Sequence, residues 1–384
     1  MKKPIFILAI ALLSTVFANA QTSECWVSNH QITYGGRMMY DMAIWGPDDF
    51  GNTGSEFRRV RLYSSGTMYS NVKYKLQLDF AGGKIAFKDV WMELNKLPIQ
   101  GNVKIGHFKE PLRLEGLTSS KYITFMERGL PIAMTPERNT GAMYHTIIGE
   151  KLSFQAGVFR KSNAFGNDKT ANNNLNITSR ATYLAMNDGD KLLHLGIANS
   201  RRKSNDKTYS FSSRAENHLG NNLMNVTYNN QVQNVNIIAG EVAYVNGSLS
   251  LQGEALQTTI DTEIGQWNTP ITHEIMSYYG QVSYFLTGES RSYKSSLAGF
   301  GRVKPNNNYG ANGAINEWGA LEVAARFSAI NSQEYGSLED ITFGLNWYLN
   351  PNTRVMLNYV MGEMTNETEV ITENAVMMRV QLDF

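Results

Sequence analysis

Alternation dominates the chain. From Val72 to Phe80 the apolar residues Val72, Tyr74, Leu76, Leu78 and Phe80 take every second place, with Lys73, Lys75, Gln77 and Asp79 between them. The same period returns over Ile341–Leu349 and Leu321–Phe327. A period of two predicts strands with one apolar and one wet face. A soluble sandwich would alternate as well, its apolar faces packed together. Two features separate the readings. Many runs are about ten residues long, the span a tilted strand needs to cross a bilayer. Short turns are expected at Gly149-Glu150, Asn187–Asp190, Asn246-Gly247 and Asn350–Asn352, whereas polar stretches rich in Asn, Ser, Thr and Gly fall at about 160–176, 200–222, 258–273, 303–316 and 362–374. Short turns on one side and long loops on the other characterise transmembrane barrels.

The chain ends on one more alternating run, with Val376, Met378, Val380, Leu382 and Phe384 on one face and Arg379, Gln381 and Asp383 on the other. As the edge of a soluble sheet this strand would lie open; barrel closure removes the edge. The runs therefore predict an all-β fold: a transmembrane antiparallel β-barrel of about sixteen strands around an aqueous lumen. Alternation fails over 200–230. At the other end, Lys2 and Lys3 precede an apolar run to Phe17 and then Ala18-Asn19-Ala20, which reads as a cleaved secretory signal peptide over 1–20. Residues 21–384 are then the barrel domain. The single cysteine, Cys25, can form no internal disulfide, and Thr22-Ser23-Glu24 before it is too polar for a lipobox.

Charge narrows the function. The full chain has 35 basic and 34 acidic residues, and loss of 1–20 leaves 33 against 34. Nucleic-acid binding is not expected, and any affinity for anions must be local.

One segment breaks the pattern. Between Gly106–Leu112 and Gly141, Pro111, Pro131 and Pro136 interrupt any strand. Leu112, Leu114, Leu117, Ile123, Phe125, Met126 and Leu130 favour folding this loop, about 110–140, back against the barrel wall rather than leaving it in water.

Gly36-Arg37, "FRRVRL" at Phe57–Leu62, "LDFAGGKIAFKDVWMEL" at Leu78–Leu94, "GHFKEPLRLEGLTSSKYITFMERGLP" at Gly106–Pro131 and the terminal "MRVQLDF" resemble the phosphate-selective porin O and P family. The likeness is densest over about 35–160 and in the last strand, and diffuse from 200 to 320. It implies a sixteen-stranded homotrimeric porin of the bacterial outer membrane. The third loop of such a porin folds inward, and arginines and lysines guide small phosphate-like anions to a narrow zone.

Anion-binding candidates follow from parity and chemistry. If Val60 and Leu62 face lipid, Arg59 and Arg61 face the lumen, since lipid-facing arginine costs ~2–4 kcal/mol at mid-depth. Arg58 lies nearer the strand start, where parity can break, and adjacent arginines are what the resemblance implies here. Lys73 and Lys75 point inward on the next strand, as do Asp89, Trp91 and Glu93, whose plain reading is wall-bracing ion pairs. In the loop, Ser119, Ser120 and Lys121 set two hydroxyls beside a cation, a donor set suited to an oxyanion. Arg128 either joins them or pairs with Glu127. Lys109, Arg113, Arg138, Arg201, Arg202, Lys203, Arg302 and Lys304 are weaker candidates.

Other classes find less support. The six histidines (His30, His107, His145, His194, His218, His273) are scattered, with no HExxH, GxSxG or CxxC, so no catalytic, metal or cofactor site is expected. The Asn-x-Thr triplets at Asn176, Asn225 and Asn366 read as ordinary polar sequence. A weakly selective general porin, or a plugged adhesive barrel, remain the alternatives to an anion channel.

Overall fold

The computed structural model describes residues 30–47, 50–98, 100–167, 175–203, 207–229, 232–264, 269–295, 298–310 and 317–384. The expected signal peptide and Cys25 lie outside them. The first strands are β1 (His30–Gly46), β2 (Asn52–Met68), β3 (Val72–Asp79), β4 (Ala86–Leu94) and β5 (Asn102–Lys109). After a long loop come β6 (Arg138–Ile148), β7 (Leu152–Arg160), β8 (Asn176–Asp188) and β9 (Lys191–Lys203). A small hairpin, β10 (Tyr209–Ser213) and β11 (Met224–Tyr228), precedes β12 (Val232–Asn246), β13 (Leu249–Ile264) and β14 (Thr269–Phe285). A second, β15 (Tyr293–Lys294) and β16 (Gly299–Phe300), precedes β17 (Ala320–Ser332), β18 (Gly336–Asn350), β19 (Thr353–Thr365) and β20 (Val370–Asp383).

Leaving out the two small hairpins, the other sixteen strands form one closed antiparallel barrel in which β20 pairs back onto β1, from Arg37 opposite Asp383 to Gly46 opposite Asn374. The terminal aromatic helps complete the seam: the Gly36 amide donates to the Phe384 carbonyl at 2.9 Å.

The faces are sorted as a lipid solvent requires. On β18, Ile341, Phe343 and Leu345 are exposed outward, while Thr342 and Asn346 are fully buried inside. Charges collect in the interior, where Arg180, Arg326, Arg354 and Arg379 are each almost entirely buried. On β12 the rule changes. Val235, Ile237, Ala239, Ala243 and Val245 point inward and are buried, because the inner face of this wall is covered by folded-in chain rather than water. Apolar residues on both faces blur the alternation there.

The loop map differs from expectation in four places. The stretches 258–273 and 362–374 are mainly strand, with β13 running to Ile264, β14 starting at Thr269, β19 reaching Thr365 and β20 starting at Val370. Their polar composition reads as loop, yet they keep a strand's two faces, with Thr258, Ile260, Thr262 and Met364 buried on the inner one. Residues 207–229 carry β10 and β11, which pair with each other and not with the barrel, so the poor alternation around 200–230 marks an inward hairpin. The segment joining β14 to β17, which contains 303–316, leaves the barrel at the end occupied by the tight turns at 149–151, 189–190, 247–248 and 351–352. That is the periplasmic end of such a barrel, so this segment is not an external loop.

Candidate pore constriction

The loop between β5 and β6 is the third on the long-loop side, and it lies inside the barrel. It carries one short helical turn, α1 (Leu114–Leu117), and a 3-10 turn at Leu130–Met134. Its backbone carbonyls, which have no ladder partner, are satisfied by arginines from the far wall. Arg354 donates to Ile123 at 2.9 Å, Arg326 to Glu127 at 3.0 Å, and Arg379 to Met126. Asn346 donates to the Thr124 carbonyl at 2.9 Å. Apolar side chains do the rest. Leu112 and Leu130 pack with Ile237, Leu256 and Ile330; Met126 packs with Met356 and Val360; Leu114 packs with Leu184 and Val245.

With the loop held against this wall, a cavity of about 830 Å³ remains between it and the inner face of β2–β7. Eleven arginines and lysines line the cavity against six aspartates and glutamates. Arg37 on β1 donates to the hydroxyls of Ser120 at 2.7 Å and Ser119 at 3.3 Å, and among the described residues it has no carboxylate partner. Arg58 holds Glu127 of the loop through two bonds of 2.8 and 2.9 Å, and Arg59 lies 3.8 Å from the same carboxylate. Arg61 pairs with Asp79 at 2.7 Å; Lys75 and Arg138 share Asp89 at 2.9 and 2.8 Å. Burial alone would raise the Glu127 carboxyl, but Arg58, Arg59 and Arg379 outweigh it and hold the group well below the usual carboxylate range.

A sequence profile of the family described as phosphate-selective porin O and P matches residues 32–384. The chain belongs to this family. It is 25% identical to Porin O of Pseudomonas aeruginosa over 88% of this chain and 84% of that protein. Among solved structures, the anion-selective porin from Comamonas acidovorans superposes with a TM-score of 0.60 at 14% identity, covering 92% of this chain and all of that one. A loop L8 deletion mutant of OmpT from Vibrio cholerae also reaches 0.60, at 10% identity, covering 93% and 100%. The protein is thus a barrel porin of the bacterial outer membrane, a channel protein.

The porin's cavity gathers most of the residues singled out from sequence: Arg58, Arg59, Arg61, Lys75, Ser119, Ser120 and Arg128 all line it. Two do not. Lys73 is exposed near the periplasmic end of β3, outside the cavity lining, and Lys121 turns to Asp383 at 2.9 Å. Arg128 does not pair with Glu127. It donates instead to the carbonyls of Glu115 and Thr118, both at 2.9 Å, and so fixes the shape of the loop. Of the weaker candidates, Arg202 is engaged by Glu110 and Arg302 by Asp383.

Two bulges explain what strict parity misses. Met39 pairs with Arg59 and Tyr40 with Phe57, which leaves Arg58 as the extra residue of β2. A bulged residue need not alternate, so both arginines reach the lumen. On the next hairpin, Leu76 pairs with Val90 and Leu78 with Phe87; the unpaired Lys88 joins the lining and stands 3.7 Å from Asp79. Arg37 was legible only as half of a family-like Gly-Arg pair, because its serine partners are more than 80 residues away.

Proposed function

We propose that this porin is a diffusion channel for small anions, with phosphate-like oxyanions as its preferred solutes, and that the loop over 110–137 narrows it. The observation that carries the reading is local charge. The cavity holds a surplus of five positive groups, although the charged residues of the whole chain nearly balance, 35 against 34. A cationic lining raises the local concentration of anions and sets selectivity where the pore narrows. Arg37 with Ser119 and Ser120 offers fork and hydroxyl donors that can replace the water an oxyanion sheds, with Arg58, Arg59, Arg61 and Lys75 along the same wall. A homotrimer in outer-membrane lipid goes with this reading, since one OmpT of Vibrio cholerae similar in fold was solved as a trimer.

Ion pairing within the lining supports a second reading. Asp79, Asp89 and Glu127 each engage at least one lumen cation, which favours a weakly selective pore for small polar solutes. Single-channel chloride current with inorganic phosphate titrated in decides between them. Block by phosphate is expected for the anion site; steady current without block belongs to the weakly selective pore.

A further inference from the structure

The best-formed oxyanion site in the lumen is already filled, by the protein itself. Arg58 Nε and Nη2 donate to Glu127 Oε1 and Oε2 at 2.8 and 2.9 Å. Arg379 Nη2 donates to Oε1 at 2.9 Å, and Arg59 Nη2 stands 3.8 Å from Oε2. Three guanidinium groups around one carboxylate form the cage that a bound oxyanion would ask for. Arg59 keeps spare donor capacity, since among the described residues its Nη1 meets only the weak acceptor Met39 Sδ, at 3.7 Å.

We propose that Glu127 is a tethered counter-anion. It occupies the paired-arginine site contributed by the β2 bulge, and a permeating oxyanion binds there by competing with it. The inference rests on the anion-channel reading above. A carboxylate fixed to the loop cannot diffuse away, so its effective concentration at Arg58 is high and the apparent affinity of any free anion falls. Conduction needs such weakening, because a solute that binds too tightly does not leave. The tether also offsets part of the positive charge of the two arginines between passages, when bare buried cations would be costly.

Position separates Glu127 from Asp79 and Asp89. Asp79 and Asp89 belong to the wall strands and brace cations on the same wall. Glu127 reaches across from the opposite side of the cavity, and its side chain retains 16% of its exposure. Its removal gives up the loop's hold on β2 but leaves its anchor on β20, because Arg379 stays bound to both Asp41 oxygens at 2.6 Å and to the Met126 carbonyl.

The test is phosphate block of chloride current through reconstituted channels, with the reversal potential in a KCl gradient recorded on the same channels. For Glu127→Gln the half-blocking phosphate concentration is expected to fall at least about tenfold, with anion selectivity kept or increased. Glu127→Asp keeps the charge but withdraws it by one methylene, and a smaller fall of about threefold is expected. An unchanged half-blocking concentration in either assembled variant, with anion selectivity intact, overturns the tethered counter-anion and leaves the channel reading standing. A cation-selective wild-type reversal potential overturns that reading, and this inference with it.

Discussion

Arg379 of the last strand grips Asp41 of the first through two bonds of 2.6 Å. The pair sits at the seam where the barrel closes, and its guanidinium also reaches the Met126 carbonyl and Glu127 of the inward loop. One side chain therefore ties barrel closure to loop position. Arg379→Ala strands a buried Asp41 carboxylate, a loss of ~3–5 kcal/mol for a pair of this kind. The temperature at which the folded barrel loses its compact electrophoretic mobility is expected to drop clearly.

Arg37 has two serine hydroxyls as partners and stands opposite Arg61 across the β1–β2 ladder. Hydrogen bonds to a charged donor are worth ~1.5–3 kcal/mol. Arg37→Ala is accordingly expected to raise the half-blocking phosphate concentration by about tenfold to a hundredfold. Folding should survive, since the change removes no ion pair of Arg37 among the described residues.

The loop should resist moderate acid. Glu127 titrates well below its ordinary 4.5 because three arginines stabilise its charged form. A depressed carboxyl pKa contributes stability that is complete above the unfolded value and is lost as pH falls through the folded one. Open-channel noise from loop motion is expected to stay constant from neutral pH down to about 4.5, and to rise only well below it.

Gly106 lies in β5 with φ +137°, where a side chain is strained, and an added Cβ would stand 2.7 Å from Trp91 Cα and closer still to the Val90 carbonyl. The obstacles are backbone on the neighbouring strand, which cannot step aside as a side chain can. Gly106→Ala is expected to cost ~1–3 kcal/mol from the backbone conformation alone. The fraction of barrel recovered in refolding into detergent should fall accordingly.

Sequence made the wall legible wherever one face meets lipid and the other meets water, as at Val72–Phe80 and Val376–Phe384. The pattern fades where that physics changes. On β12 the inner face is dry, so Ile237 and Ala239 read as breaks in alternation. In β13 and β20 the ends are rich in Thr, Glu and Asp or Asn and read as loop. The apolar residues of the third loop announced that it would fold back, since Leu114, Ile123 and Phe125 could not stay in water. Partners across the lumen left no local trace. Nothing near Arg128 says that it binds carbonyls of its own loop, and nothing near Glu127 says that it reaches Arg58. Bulges are equally silent, and two of them bring Arg58 and Lys88 into the pore.

The central claim is that the lumen selects anions by its surplus of arginine and lysine. The reversal potential of the reconstituted protein across a KCl gradient tests it most directly. A potential on the chloride side, reduced in Arg37→Ala and Arg59→Ala, is the result this account predicts. A potential near zero or on the potassium side would contradict it.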